Sequence, residues 1–237
     1  MSRANGGGRS VQLAFNLAFR PAMSREDFLV ASSNEAAVAE IDRWPEWPTP
    51  GLLIVGPKGS GKSHLSEVFR MRAGGTLVQA QNLKKKNVPE LLEAGVCVVE
   101  DLPGSLNELD EVALFHLLNL ARETKGYVLM TARSFPAQWD LKLKDLASRM
   151  SAVATVALGT PCDVLLRGLL VKLFSDRQLP VDEAVIGYLV RNMERSGEAA
   201  RFLVEQLDRR SLEEKATVTR PFAAKVLAGL DASDGAS

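Results

Sequence analysis

The chain has 237 residues, 46% of them hydrophobic and 24% charged, which suits one sizeable α/β core with a smaller appendage and excludes a disordered or fibrous chain. Lys plus Arg and Asp plus Glu are equal at 29 each, so nucleic acid is not expected as the main ligand, because a chain living on DNA carries a basic surplus. Cys97 and Cys162 are the only cysteines and form no disulfide framework. No apolar run is long enough to span a membrane and the N-terminus lacks an apolar signal core, so a reducing cytoplasm is the expected compartment.

Residues 1–10 are small, polar and glycine-rich and are expected to be disordered, whereas 11–19 are unexpectedly apolar. A helix is predicted over 34–44, with Ser33 or Asn34 near its cap; Pro45, Pro48 and Pro50 end it. Five apolar runs follow, at 52–55, 76–79, 96–100, 127–131 and 153–157, with helical patterns between them at 62–72, 88–93, 108–123 and 142–150. Alternation of this kind means a parallel sheet covered by helices on both faces. After Gly159 only helical patterns remain, at 163–176, 183–193, 198–210 and 221–227. The reading is therefore an arm over 1–23, an α/β domain over 24–159 and a small all-helical domain over 160–237 ending in a disordered tail, with Gly159-Thr160-Pro161 as the joint.

Residues Gly56, Pro57, Lys58, Gly59, Ser60, Gly61, Lys62 and Ser63 form the phosphate-loop pattern G-x-x-x-x-G-K-[ST]. The buried-strand run 52–55 precedes it, and Leu65, Val68, Phe69 and Met71 follow at helical spacing. Strand, glycine turn and helix N-terminus aim backbone N–H groups and the positive end of a helix dipole at one point. Lys62 would reach the outer phosphates of a nucleotide, and Ser63 would hold a magnesium ion. A second element is the run 96–99 ending in Glu100 and Asp101. Beside a phosphate loop, Glu100 is expected on the magnesium side and Asp101 as the candidate base.

Thr131 closes the fourth apolar run and is either a sensor of the terminal phosphate or an ordinary strand end; the first requires its strand to lie between the two already named. Arg149 ends the helical stretch before the fifth run, and Arg201 lies near the start of a helix in the last third. Each is either an arginine donated to a phosphate or a surface cation. Lys84, Lys85 and Lys86 could graze DNA or form a solvated loop. His64 and His116 have no ligand companions, so no further metal site is assigned.

In this order the pieces resemble the AAA+ ATPases, and within them the DnaA initiator family. Four segments carry the likeness: Gly-Pro-Lys-Gly-Ser-Gly-Lys-Ser-His at 56–64, Val-Val-Glu-Asp at 98–101, Leu-Met-Thr-Ala-Arg at 129–133 and Leu-Ala-Ser-Arg-Met at 146–150. The resemblance spans 27–230 and includes Val-Thr-Arg-Pro-Phe at 218–222, similar to the end of the family's helical lid. It implies a five-stranded parallel AAA+ sheet with a helical lid, and a bound ADP or ATP with Mg2+ contacted through His64, Thr131 and Arg201 as well as the phosphate loop. It also makes Arg149 the trans-acting arginine finger.

The initiators carry a DNA-reading domain after the lid and a long N-terminal domain; here the chain stops where the first would begin and has about twenty residues in place of the second. That shape resembles the short DnaA-related regulators that promote hydrolysis of the initiator's ATP and so prevent re-initiation. Gln12, Leu13, Phe15 and Leu17 resemble the peptide by which proteins dock on the DNA polymerase sliding clamp: an amide anchor followed by apolar plugs. Packing of the same residues on the chain's own core is the plain alternative. The implied partners are the initiator DnaA and the clamp, with no strong direct DNA binding and no membrane; a homodimer is compatible with the pattern. The competing reading is a DnaA-related ATPase that works as a loader or remodelling motor. Three departures matter: Glu198 stands where a sensing arginine is expected, Glu100 replaces the usual Asp, and Pro57-Lys58 enlarge and charge the loop. They point to weak hydrolysis by the chain itself.

Overall fold

The computed structural model describes residues 29–102 and 109–234. The arm with Gln12, Leu13, Phe15 and Leu17, and residue 108, lie outside the described residues; the helix predicted from 108 begins at Glu111, where the Asp110 side chain accepts from the Ala113 N–H. Helix α1 (Glu35–Asp42) leads to β1 (Gly51–Val55), α2 (Lys62–Ala73), β2 (Thr76–Gln79), the single turn α3 (Val88–Leu91), β3 (Val96–Leu102), α4 (Glu111–Thr124), β4 (Tyr127–Ala132), α5 (Lys144–Ala152) and β5 (Ala154–Ala157). The five strands form one parallel sheet in the order β2-β3-β4-β1-β5. β1 is buried along its whole length, which is why its sequence is a continuous apolar run and not an alternating one.

Side chains alternate between the two faces of the sheet. Leu52, Ile54, Val96, Val98 and Leu129 pack beneath α1 and α2 with Ile41, Leu65 and Phe69. Leu53, Val55, Cys97, Val99, Val128 and Met130 pack on the other face against Leu114, Leu117, Leu146 and Met150 of α4 and α5. The same parity sends Glu100 and Thr131 to the α2 face. Trp47 stacks on Phe69 with ring centroids 5.2 Å apart and donates its indole N–H to the Glu40 carbonyl at 2.7 Å, tying the α1–β1 loop down.

Several boundaries differ from the predicted ones by a few residues, and two of these differences have a tertiary cause. The helix predicted from 142 begins at Lys144, because the N–H groups of Lys142 and Leu143 donate to the Glu111 carboxylate at 3.1 and 2.7 Å and hold that stretch as a loop. Strand β3 continues to Leu102, because its pairing with β4 resumes beyond an irregularity at Asp101.

After β5 the described chain is all helix: α6 (Asp163–Asp176), α7 (Glu183–Asn192), α8 (Gly197–Glu214) and α9 (Arg220–Asp234). These helices enclose a separate core around Leu166, Leu170, Phe174, Ile186, Leu203 and Val226. The joint is pinned: Gly159 N–H donates to the Ser33 carbonyl at 2.9 Å, and Arg195 donates to the Pro161 carbonyl at 2.9 Å while pairing with Asp163 at 2.6 Å. Among the described residues no helix is long and apolar enough to cross a membrane.

Candidate functional site

The loop Gly56–Ser63 runs from the end of β1, which lies between β4 and β5, into α2, and its glycines are dictated by geometry. A Cβ on Gly56 would collide with the Leu158 carbonyl oxygen. Gly59 has φ +77, and a Cβ there would lie 2.6 Å from the Ser196 side chain at the cap of α8. Gly61, with φ +99, caps α2 and meets nothing within 4 Å on its Cβ side. The backbone of this turn is therefore open to a ligand above the N-terminus of a 12-residue helix.

Lys62 is 7% exposed, and its ammonium donates to the carbonyls of Gly56 and Pro57, each at 2.8 Å. Burial holds its pKa below the usual lysine value; Asp101 opposes that shift, Arg133 adds to it, and Glu100 opposes it less than Asp101 does. Ser60 Oγ is buried and has no hydrogen-bond partner in the structure, a costly arrangement for a hydroxyl. A desolvated cation, an orphaned hydroxyl and a cluster of main-chain donors together fit a phosphate anion. Pro57, Lys58, Ser63 and His64 lie on the exposed side of the same loop and of the first turn of α2.

The carboxylates at the end of β3 behave differently from each other. Glu100 is 7% exposed and accepts from the Ser66 hydroxyl on Oε1 and from Gln79 Nε2 at 3.0 Å on Oε2. Asp101 is exposed, adopts φ +59, and faces Arg133 at 3.7 Å. Its N–H donates at 3.1 Å to Thr131 Oγ1, which is buried at 1% exposure. Strand β4 does lie between β3 and β1, the condition required for Thr131 to reach the site; its hydroxyl oxygen here braces the left-handed turn at Asp101. A magnesium ion demands close, near-octahedral oxygen ligands. Glu100 is held by a donor on each oxygen and is not free to turn toward Ser63, which is exposed, so this donor set fits a directly bound magnesium poorly. Among the described residues no group of three or more metal-ligating side chains exists.

No protein-family model matches the chain. An uncharacterized protein of Haemophilus influenzae is 26% identical, covering 75% of this chain and 81% of its own. Domain III of the Thermotoga maritima replication initiation protein DnaA superposes with a TM-score of 0.72 at 16% identity, over 86% of this chain and 95% of that one. AMPPCP-bound DnaA from Aquifex aeolicus gives 0.65 at 16% identity, over 83% of this chain and 68% of that one. A point mutant of Thermotoga maritima RuvB gives 0.68 at 15% identity, over 90% and 73%. This chain has a DnaA-like AAA+ fold.

Within the AAA+ fold the helical lid meets the phosphate loop through α8. Ser196, whose Oγ accepts from the Ala199 N–H at 2.9 Å, touches Gly59. Arg201 is exposed, and a methyl group on Gly197 would lie 3.8 Å from its Nη1, so its guanidinium lies at the loop end of α8. Glu198 is exposed on the same turn. Arg149 is half-buried at the end of α5, where its guanidinium stacks over the Phe115 ring of α4 at 5.7 Å. It is thus on the α4–α5 face of the sheet, whereas α2 covers the opposite face. Lys84, Lys85 and Lys86 are exposed after β2, the last two in a single 3-10 turn over Lys85–Asn87.

Sequence reasoning missed Ser66, Gln79, Arg133 and Ser196. Ser66 carried a signal, a polar residue on the same helical face as Leu65 and Phe69 and wholly buried. Gln79 did not, because its pairing with Glu100 is set by strand register.

Proposed function

We propose that this chain is an Hda-like regulator of DNA replication initiation. It holds an adenine nucleotide, ADP or ATP, between the phosphate loop and the lid, through Gly56 to His64, Thr131 and Arg201. It docks on the sliding clamp through Gln12, Leu13, Phe15 and Leu17, and carries Arg149 to the ATP of the initiator DnaA. A guanidinium delivered there stabilises the charge that builds on the transferred phosphoryl group, and hydrolysis ends the initiator's active state.

The observation that carries this reading is the position of Arg149 across the sheet from α2. An arginine on that face is suited to a neighbour's nucleotide and not to the chain's own. The likeness to DnaA domain III and to a DnaA that binds AMPPCP supports the nucleotide and a family-type contact with an initiator. The test is a reconstituted assay of initiator-bound ATP, with and without clamp loaded on DNA. The chain should accelerate hydrolysis only with loaded clamp, and Arg149→Ala should lose at least about a hundredfold of that stimulation. Equal stimulation by Arg149→Ala rejects the role of Arg149.

A loader or remodelling motor is the second reading, favoured by the likeness to RuvB. Rapid ATP turnover by the isolated chain supports it; tight nucleotide binding with negligible turnover supports the regulator.

A further inference from the structure

The carboxylate pair that closes β3 is arranged for something other than metal capture. Glu100 sits on the α2 face of the sheet, directly under Ser66, a residue with no exposure at all. Its neighbour in the strand register is Gln79 of β2. The sheet order is β2-β3-β4-β1, so an amide on β2 lies on the side of β3 remote from β1 and the phosphate loop. Gln79 donates to Oε2 from that side, and the Ser66 hydroxyl donates to Oε1 from above. The extra methylene of Glu relative to Asp carries the carboxylate farther from the strand, out to the two donors. Asp101, the other carboxylate, is turned the other way by strand parity and a left-handed backbone, and faces Arg133. Of the two, Asp101 has the stronger electrostatic effect on Lys62.

We propose that Ser66 of α2 and Gln79 of β2 are positioning residues that together hold both carboxylate oxygens of Glu100, so that this chain holds its nucleotide without depending on magnesium. The affinity comes from the main-chain amides of the loop and from Lys62, whose charge is already desolvated. A site of this kind favours retention of the nucleotide over its turnover, because the metal that would otherwise neutralise the outer phosphates has no inner carboxylate to steady it. This rests on the nucleotide reading of the loop given above and adds to it the way the site is regulated.

The experiment is calorimetric titration of ADP into the full chain, in excess magnesium and in excess EDTA. The dissociation constants of the parent chain should agree to within about threefold. Glu100→Asp, whose carboxylate stays closer to the strand and short of the two donors, and the Ser66→Ala/Gln79→Ala double variant should each free a carboxylate oxygen. In both, magnesium should then strengthen ADP binding by about tenfold or more. The ratio of the two constants is the readout, since a general loss of packing lowers affinity in both buffers alike. Gln79→Ala alone, at the edge of the sheet, serves if the double variant does not fold, and should move the ratio the same way. A parent chain that loses about tenfold or more in EDTA overturns the proposal while leaving the nucleotide site standing. Variants whose ratio stays at the parent value overturn the role of Ser66 and Gln79. No ADP uptake in either buffer overturns the nucleotide reading and this proposal with it.

Discussion

Cys97 and Cys162 are chemically opposite, although the sequence presents two isolated cysteines. Burial pushes the Cys97 thiol from 9.0 up to about 11. Burial acts on Cys162 too, but the Leu165 N–H and the hydroxyls of Ser33 and Ser32 outweigh it and hold that thiol below its usual value. For Cys97 the neutral form is favoured by the fold. Below the unfolded pKa both states keep the proton and nothing is lost. Between 9.0 and about 11 the unfolded chain has released a proton that the folded chain retains, so stability falls as pH rises, by roughly 2–3 kcal/mol at the upper end. Denaturant titrations through this alkaline range should show the decline, and Cys97→Ala should flatten it relative to the parent. At neutral pH a thiol reagent should label Cys162 first and leave Cys97 untouched until the chain unfolds, as mass spectrometry of the labelled chain can establish.

At the scale of elements, the contact that joins the two lobes over the site is the packing of the α8 cap on the phosphate loop. Gly59 has a positive φ and its missing side chain leaves room for Ser196. Gly59→Ala therefore strains the loop and pushes the start of α8 away. The expected result is a loss of about tenfold or more in ADP affinity, together with faster amide exchange in the first turn of α8 and unchanged exchange in α4 and α5. Unaltered exchange at α8 would mean that the contact does not couple loop to lid. The elements themselves were largely legible. The run at 76–79 and the helix at 163–176 are found with the bounds their periodicity predicts. The helix predicted from 142 was not, since nothing local reports that Glu111 captures two N–H groups some thirty residues away. Helix α8 runs past the predicted 210 to Glu214, ending where Lys215 takes a left-handed conformation.

The described residues form two lobes, a sheet domain with a core on each face and a helical lobe with its own, joined by a hydrogen-bonded seam. Arg195 spans that seam by holding the Pro161 carbonyl and Asp163, and it belongs to none of these cores. Arg195→Ala should cost little stability, about 1 kcal/mol or less, because the pair is solvent-exposed. It should nonetheless loosen the lid and weaken ADP binding several-fold, an effect that calorimetry and a thermal melt separate. A large fall in the melting midpoint with unaltered ADP affinity would place Arg195 in the stability of the fold instead of in the set of the lid.

The linear sequence was enough to determine the phosphate loop and the parallel α/β sheet with its helical lid, since these follow from spacing along the chain and from the alternation of strand and helix patterns. Only the tertiary structure decided what the site residues touch. The occupation of Glu100 by Ser66 and Gln79, the bracing of Asp101 by Thr131, and the position of Arg149 across the sheet from Lys62 all depend on strand order and on which helix covers which face. Those are relations between segments far apart in the chain. A local pattern fixes where a side chain points, and the partner waiting there is supplied by the packing of the whole molecule.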